Sequence, residues 1–218
     1  MTQPITNRGL MISFEGSEGS GKTTQIARLA TRLEDAGLEV VVTREPGGTD
    51  VGEEIRNLLK HAKAGQSMCP ETELLLFAAS RAQLVREVLL PALTSGKIVL
   101  CDRFLDSTTV YQGAARQLSA DPVHNINTFA AGELVPDLTI VLDLPAEIGL
   151  DRVRSRSGGS LDRMEQENIE FYRKVREGYL LLVKSLPQRF AVFDGTEERS
   201  QLEEQIWKEI TGRFLVTV

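Results

Sequence analysis

A short loop rich in glycine, ending in a lysine and a threonine, carries the most distinctive chemistry in this sequence. Residues 16–23 read GSEGSGKT, after an apolar run at 10–14 and before an amphipathic segment with Ile26, Leu29 and Leu33 on one face. Glycines let backbone N–H groups wrap a polyphosphate, the lysine reaches the β- and γ-phosphates, and the threonine hydroxyl is a ligand for Mg²⁺. The pattern predicts a nucleoside triphosphate site with Mg²⁺ as cofactor. The residues expected to contact the triphosphate are Gly16, Ser17, Glu18, Gly19, Ser20, Gly21, Lys22, Thr23 and Thr24.

Two arginines and an aspartate follow other apolar runs and suggest a second phosphate site. Arg44 directly follows the run at 38–43, and Asp102 and Arg103 follow the run at 97–101. In a parallel sheet these positions fall at the carboxyl ends of the strands, where ligands bind. Two guanidinium groups there can hold a monophosphate bidentately, and the carboxylate can bind Mg²⁺ through water. Taken alone, each arginine would be interpreted as a surface residue and the aspartate as a helix cap or loop residue. Their position beside a phosphate loop favours a role in binding a ligand.

The elements that must position these residues alternate along the chain. Apolar strand-like runs lie at 10–14, 38–43, 97–101, 138–142 and 189–193, and helical patterns at 71–93, 165–186 and 200–212. Strands that alternate with helices predict a parallel sheet covered on both faces. We therefore expect an α/β fold, a five-stranded parallel sheet in a three-layer sandwich. It would form a single domain over residues 10–218, after a loose polar tail at 1–9.

Composition narrows the possible partners. The 218 residues carry a formal net charge of −6, which gives a nucleic acid no overall attraction. No apolar stretch approaches the length of a membrane span, and the first nine residues lack the apolar centre of a secretory signal. Cys69 and Cys101 form no C-x-x-C pair, and Cys101 reads as a core residue, so disulfides are not expected. The sequence predicts a cytoplasmic protein without nucleic-acid or membrane partners, with His61 and His124 on its surface.

A basic stretch at 152–163 runs into a flexible loop. Arg152, Arg154 and Arg156 alternate before the segment SGGS at 157–160. The stretch is either a solvated helix end or a mobile lid that carries arginines to a phosphate. Its glycines would supply the hinge of such a lid.

Triphosphate binding alone leaves the reaction open. The Asn-Lys-x-Asp tetrapeptide that regulatory GTPases use to read guanine does not occur, and a large ATPase motor needs a longer chain. A small phosphotransferase, with a second phosphate site opposite the first, remains.

At this point several motifs together resemble those of bacterial thymidylate kinases, a family of P-loop nucleoside monophosphate kinases. They occur in the family's order from about residue 10 to 195 and are specific in combination. The matching segments are FEGSEGSGKTT at 14–24, TREPGGT at 43–49, LFAASRAQ at 76–83, DRFLDS at 102–107, YQG at 111–113 and LDRMEQE at 161–167.

The resemblance implies a P-loop NTPase fold and transfer of the γ-phosphate of ATP to dTMP, giving dTDP and ADP for dTTP synthesis. It implies that Phe77 stacks on thymine and that Arg81 hydrogen-bonds its O4. Four-residue spacing places both on one helix face, although Phe77 would otherwise read as a core residue. The resemblance also implies a homodimer packed through helices, with 71–93 as the candidate face.

Further residues take roles from the same resemblance. Glu18 corresponds to the acceptor for the 3′-hydroxyl of dTMP, and Tyr111 to the ring that crowds the 2′ position of the sugar. Thr108 and Gln112 are expected near the base or the phosphate. Arg44 and Arg103 would hold the acceptor phosphate, and Thr23 and Asp102 the metal.

The sequence departs from the family pattern at three places. Phe104 stands where a tyrosine is common, and Gly158 and Gly159 lengthen the lid. Some members have an arginine where this chain has Gly19, so the catalytic cation is expected from the lid. Arg154 and Arg156 are the first candidates there, with Arg152 and Arg163 in reserve.

Two alternatives stay open. Another nucleoside monophosphate kinase would share most of these residues, and one methyl group in a pocket separates dTMP from dUMP by only about 1–3 kcal/mol. A catalytically inactive nucleotide-binding module is the alternative from a different class. The intact lysine, threonine, aspartate and arginines of the site speak against it.

Overall fold

The chain forms a parallel sheet of five strands, as predicted. A computed structural model describes residues 8–157 and 161–214. The strands are β1 (Met11–Glu15), β2 (Val40–Arg44), β3 (Ile98–Asp102), β4 (Leu138–Asp143) and β5 (Phe190–Asp194). Their spatial order is β2-β3-β1-β4-β5, and every pairing is parallel. The central strand β1 therefore ends beside β3, with Phe14 opposite Asp102.

Helices cover both faces of the sheet. They are α1 (Lys22–Asp35), α2 (Asp50–Lys60), α3 (Pro70–Leu84), α4 (Leu90–Thr94), α5 (Leu105–Thr108), α6 (Ala120–Ala131), α7 (Ala146–Ser157), α8 (Ile169–Ser185) and α9 (Arg199–Phe214). A short 3₁₀ turn lies at Lys63–Ser67, and wide π-helical turns lie at Val85–Leu89 and Thr109–Ala115. The strand–helix alternation and the coverage of both faces confirm the predicted three-layer sandwich.

Alternation along β1 sorts its side chains between the two layers. Ile12 and Phe14 pack with α1 and α9 in one core cluster, and Met11 packs on the other face with the α3–α4 region. Because side chains of a strand point to opposite faces in turn, Glu15 lies on the same face as Met11. This alternation places a buried carboxylate beneath the carboxyl edge of the sheet.

Two of the predicted helices differ from the sequence pattern. The segment predicted as one helix at 71–93 is interrupted by the wide turn Val85–Leu89. Pro91 lacks an N–H group and its ring would clash with the carbonyl of Glu87, so a regular helix cannot continue there. The helix predicted from residue 165 begins at Ile169, because the side chain of Asn168 accepts a hydrogen bond from the Phe171 N–H and caps it.

The beginning of the described chain is bonded to the fold. Of the predicted tail at 1–9, residues 1–7 lie outside the described part. Arg8 pairs with Asp137 at 2.6 Å, and the Gly9 N–H donates to the Leu93 carbonyl at 2.7 Å. Within the described ranges no helix is both long and apolar enough to cross a membrane.

Candidate functional site

The glycine-rich loop joins β1 to α1, as the motif predicts. The Lys22 ammonium turns back into the loop and donates to the carbonyls of Gly16 at 3.1 Å and Ser17 at 2.9 Å. Burial is the main cause that lowers the pKa of Lys22 to about 8, and repulsion from Arg103 is the second. A nearby anion favours the charged form of an amine. The loop thus holds a lysine whose charge a phosphate would stabilise.

The two predicted metal ligands lie side by side. The Thr23 hydroxyl donates to Asp102 Oδ2 at 2.8 Å, although the residues are 79 positions apart. A hydroxyl and a carboxylate are hard oxygen donors of the kind that Mg²⁺ prefers. Among residues 8–157 and 161–214 no cluster of three or more His, Cys, Asp or Glu side chains could hold a metal ion. Two protein oxygens suit Mg²⁺, which commonly completes its shell with water and substrate phosphates.

The loop leaves no room for a side chain at position 19. Gly19 has a φ of 74°, and a Cβ built there would lie 2.4 Å from the Gly149 carbonyl on α7. Both the left-handed backbone and this close approach exclude a larger residue. The absence of an arginine from the loop, noted in the sequence, is therefore tied to how closely α7 packs on it.

Arg103 is held in a strained backbone conformation at the end of β3. Its φ of 73° lies in the left-handed region, which non-glycine residues rarely adopt. Its N–H donates to the Phe14 carbonyl at 3.0 Å, and the next N–H, of Phe104, donates to Glu15 at 2.8 Å. Such strain occurs where the surroundings impose it, and it is concentrated at functional sites.

The side chain of Arg103 connects the strand end to the phosphate loop. Its guanidinium donates to Glu18 Oε1 at 2.8 Å and lies 4.9 Å from the ring centre of Tyr111. The Tyr111 hydroxyl donates to the other Glu18 oxygen at 2.6 Å. Burial raises the pKa of Tyr111 well above its usual value, so the hydroxyl keeps its proton. Burial alone would raise the pKa of Glu18, but Arg103 and then Lys22 outweigh it and hold that pKa below the ordinary value.

Glu15 lies beneath this group, and sequence reasoning did not single it out. Its carboxyl is fully buried and accepts hydrogen bonds from the Ser107 and Tyr179 hydroxyls, each at 2.6 Å. Burial, reinforced by Asp106, raises its pKa to about 7. Ser107 and Tyr179 in turn lie 3.2 and 3.3 Å from Arg103 Nη1. Tyr179 lies on α8, 164 residues from Glu15 in the chain, so spacing along the sequence could not indicate this contact.

Two cavities meet at the phosphate loop. The larger has a volume of about 860 Å³ and lies over the N-terminus of α1. It is bounded by α7 and the segment 195–199. The smaller, of about 190 Å³, lies between the loop, β2, β3 and α3. Both are lined by Gly19, Lys22, Thr23 and Arg156. A phosphoryl group at these shared residues would lie between two bound molecules.

The smaller cavity gathers most of the predicted acceptor residues. Those that line it are Glu18, Arg44, Phe77, Arg103, Thr108, Tyr111 and Gln112. Arg44 also donates to Glu53 at 2.8 Å. Arg56 and Lys60 line the cavity too and were missed by the sequence analysis. Their four-residue spacing on α2 was the available signal, since it places both on one helix face.

Arg81 is placed differently from Phe77, although both lie on α3. Its guanidinium is fully buried and donates to Glu45 at 2.9 Å, to Asn127 at 2.6 Å and to Thr108 at 3.0 Å. It does not line the smaller cavity, but its partner Thr108 does. Arg81 therefore lies behind the cavity wall and is connected to it by its hydrogen bond to Thr108.

The four lid arginines separate in space. Arg156 lines both cavities and pairs with Glu165 at 3.1 Å. Arg152 lines the larger one and donates to the Gly195 carbonyl at 3.0 Å, whereas Arg154 lines neither. Arg163 is bonded to Glu73 and to the Leu59 carbonyl. The predicted hinge glycines, Gly158 and Gly159, lie outside the described residues.

Other sequence expectations are confirmed. Cys101 is buried in the sheet, and burial raises the pKa of its thiol well above the usual value. His61 and His124 are exposed.

Comparison with known proteins agrees with this geometry. The model of the thymidylate kinase family matches residues 14–206. A thymidylate kinase of Geobacter sulfurreducens is 52% identical over 87% of this chain and 90% of its own length. One of Deinococcus radiodurans is 48% identical over 95% of this chain and 98% of its own length. The crystal structure of a thymidylate kinase from Ehrlichia chaffeensis superposes with a TM-score of 0.75, at 32% identity, covering 93% of this chain and 98% of that one.

The raised pKa of Glu15 predicts a pH-dependent stability. The folded state holds the proton more tightly than the unfolded chain does. The stability from this group is therefore present below about pH 4.5 and is lost as the pH rises through about 7. Glu15→Gln cannot titrate, so its free energy of unfolding relative to the unmodified protein should rise between pH 5 and 8, by on the order of 3 kcal/mol.

Urea unfolding at pH 5, 6, 7 and 8 measures this difference. Glu177→Gln, an exposed change on α8, serves as the control and should leave the pH dependence unchanged. A constant difference between Glu15→Gln and the unmodified protein across this range would show that Glu15 is ionised in the fold throughout.

Proposed function

The chain belongs to the thymidylate kinase family, and we propose that its two cavities hold the two nucleotides of that family's reaction. The protein is an ATP-dependent dTMP kinase, which transfers the γ-phosphate of ATP to dTMP and yields ADP and dTDP. ATP would occupy the larger cavity and dTMP the smaller. The observation that carries this assignment is that Lys22, Thr23 and Arg156 line both cavities.

The phosphate loop would bind the donor. Its backbone N–H groups and the N-terminus of α1 favour the triphosphate, and Lys22 would leave the loop carbonyls for the β- and γ-phosphates. Thr23 and Asp102 would hold Mg²⁺, because their side-chain oxygens are adjacent and are of the type that Mg²⁺ prefers. When bound, the ion neutralises charge on the phosphate oxygens.

The smaller cavity would bind dTMP by its phosphate, sugar and base. Arg44 and Arg103 supply guanidinium groups for the phosphate. Phe77 offers a ring face to the thymine, and Glu18 an acceptor for the 3′-hydroxyl. Arg81 would reach the base from behind Thr108, which it already contacts.

Transfer itself needs alignment and charge rather than proton chemistry. The acceptor is an ionised phosphate oxygen, so no general base is required. Lys22 and a lid arginine would offset the charge that spreads over the transferring group. Arg156 fits this role by position, because it lies at the junction of the cavities.

The assembly and location follow the family resemblance. We propose a homodimer packed through α2, α3 and α6, which lie side by side and expose Val51, Leu75 and Phe129. Sedimentation measures this state directly. A cytoplasmic location is in keeping with two free cysteines.

Release of ADP, followed in a coupled assay with a panel of nucleoside monophosphates, tests the function. The expected order is dTMP first, with dUMP a poor but detectable substrate. A different preferred monophosphate would indicate another kinase of this class. No turnover with any monophosphate would indicate an inactive binding module.

Lys22→Ala should lower turnover roughly 100-fold or more, because a preorganised charge at the transferring phosphate is lost. ATP should bind more weakly as well. Steady-state kinetics with Lys174→Ala, an exposed lysine on α8, as control measures the effect. If the variant turns over near the rate of the unmodified protein, Lys22 does not stabilise the transferring phosphate.

Tyr111→Ala should narrow the preference for dTMP over its ribonucleotide counterpart, because the ring excludes a 2′-hydroxyl by volume. Tyr111→Phe keeps the ring and loses only the hydrogen bond to Glu18, so its preference should stay close to that of the unmodified protein. Ratios of kcat/KM for both substrates provide the comparison. Equal narrowing in both variants would place discrimination at Glu18 instead.

Arg156→Ala should reduce turnover by on the order of 10³, the contribution of an arginine in comparable phosphoryl transfers. Calorimetry without ATP should show dTMP affinity changed far less. Arg154→Ala is the matched control, two residues away on the same helix and outside both cavities. A greater loss for Arg154→Ala would transfer the role to that arginine.

A further inference from the structure

Glu73 is a buried carboxylate near the start of α3 that the reaction described above does not use. Its side chain is 1% exposed. Oε1 accepts from Gln112 Nε2 at 2.8 Å and from Arg116 Nε at 3.2 Å. Oε2 accepts from Arg116 Nη2 at 3.1 Å and pairs with Arg163 Nη2 at 2.6 Å. One carboxylate therefore joins α3, the wide turn Thr109–Ala115 with the Arg116 that follows it, and Arg163 at the end of the basic stretch 152–163.

The contacts of Glu73 keep it ionised. Burial would raise its pKa, but hydrogen bonds from Arg116 and Gln112 and the charges of both arginines outweigh burial and hold it below the usual range. An ionised carboxylate only accepts hydrogen bonds. Whatever faces Glu73 must therefore be a donor.

This requirement fixes the orientation of the Gln112 amide. A glutamine amide has a nitrogen that donates and an oxygen that accepts, and only the nitrogen can face a carboxylate. No group within residues 8–157 and 161–214 donates to Gln112 Oε1. Gln112 lines the smaller cavity, whereas Glu73 does not. The acceptor end of the amide is therefore the end left for a ligand.

An acceptor with a fixed position distinguishes pyrimidines by their N3 atom. Thymine and uracil carry an N–H group at N3, which can donate to it. Cytosine presents a lone pair at the same place, and two acceptors would face each other. Leaving a buried polar group unpaired is what gives hydrogen-bonding sites their large discrimination.

We propose that Glu73 is a positioning residue for substrate specificity: by holding Gln112 Nε2, it presents Oε1 to the base and selects 4-oxopyrimidine monophosphates over dCMP. The inference rests on the assignment of the smaller cavity to dTMP. Glu73, Phe77 and Arg81 follow at four-residue intervals, so one face of α3 carries the positioning carboxylate, the stacking ring and the buried arginine.

Glu73→Gln tests the proposal, because a glutamine can donate to Gln112 Oε1 and allow its amide to turn over. The ratio of kcat/KM for dTMP to that for dCMP should fall by roughly tenfold or more. The KM for ATP should not change. Arg116→Gln is the matched control, since it removes another partner of Glu73 and lines neither cavity. Its ratio should stay within about twofold of the unmodified value.

A double-mutant cycle separates positioning from a general structural effect. In the Gln112→Leu background, Glu73→Gln should produce no further change in the ratio, because the group it acts through is gone. If Glu73→Gln does not fold, judged by thermal melting, Glu73→Asp decides. It keeps the charge for both arginines but withdraws the carboxylate from Gln112, and its ratio should also fall.

An unchanged ratio in folded Glu73→Gln or Glu73→Asp would overturn the proposal, as would independent effects of the two changes in the cycle. Either result leaves the dTMP kinase activity of the unmodified protein as it stands. Failure of the unmodified protein to phosphorylate dTMP would instead overturn the proposed function.

Discussion

The ion pair between Arg103 and Glu18, at 2.8 Å, is the contact on which the rest of the site depends. It joins the end of β3 to the phosphate loop, 85 residues earlier in the chain. Arg103 makes this contact from a left-handed backbone, with its own N–H bonded to the Phe14 carbonyl of β1 and the next N–H bonded to Glu15. Glu18 belongs to the phosphate loop, and both residues line the smaller cavity. The pair thereby fixes the position of the phosphate loop relative to the end of a rigid strand.

The acceptor side is built on buried charges that neutralise one another. Glu45 pairs with Arg81, and Glu73 pairs with Arg116 and Arg163. Buried ion pairs are weak evidence for stability, because their desolvation offsets much of the attraction. They do fix the orientation of the groups they contact, and a nucleobase is recognised by the direction of its donors and acceptors. These buried pairs therefore serve to orient hydrogen-bonding groups more than to stabilise the fold.

The donor side follows a different constraint, the close approach of α7 to the phosphate loop. Gly19 and Gly149 meet so closely that neither can carry a side chain. A side-chain cation therefore cannot come from position 19, and α7 carries arginines beside the loop instead. Arg152 and Arg156 lie on the cavity side of that helix, and packing of α7 against the loop determines which of its alternating arginines lie there.

The sequence by itself determined the sheet, the phosphate loop and the clustering of Arg44, Asp102 and Arg103. These depend on spacing along the chain and on the rule that parallel strands end at one edge. Spacing could not place Arg81 behind Thr108, separate Arg156 from Arg154, or reveal the network of Glu15 with Tyr179, 164 residues apart. A helical pattern gives the face on which a side chain lies, but its partners come from whichever distant element packs against that face. The tertiary structure alone decided those partners, because burial compels each polar group to find a donor or an acceptor within reach.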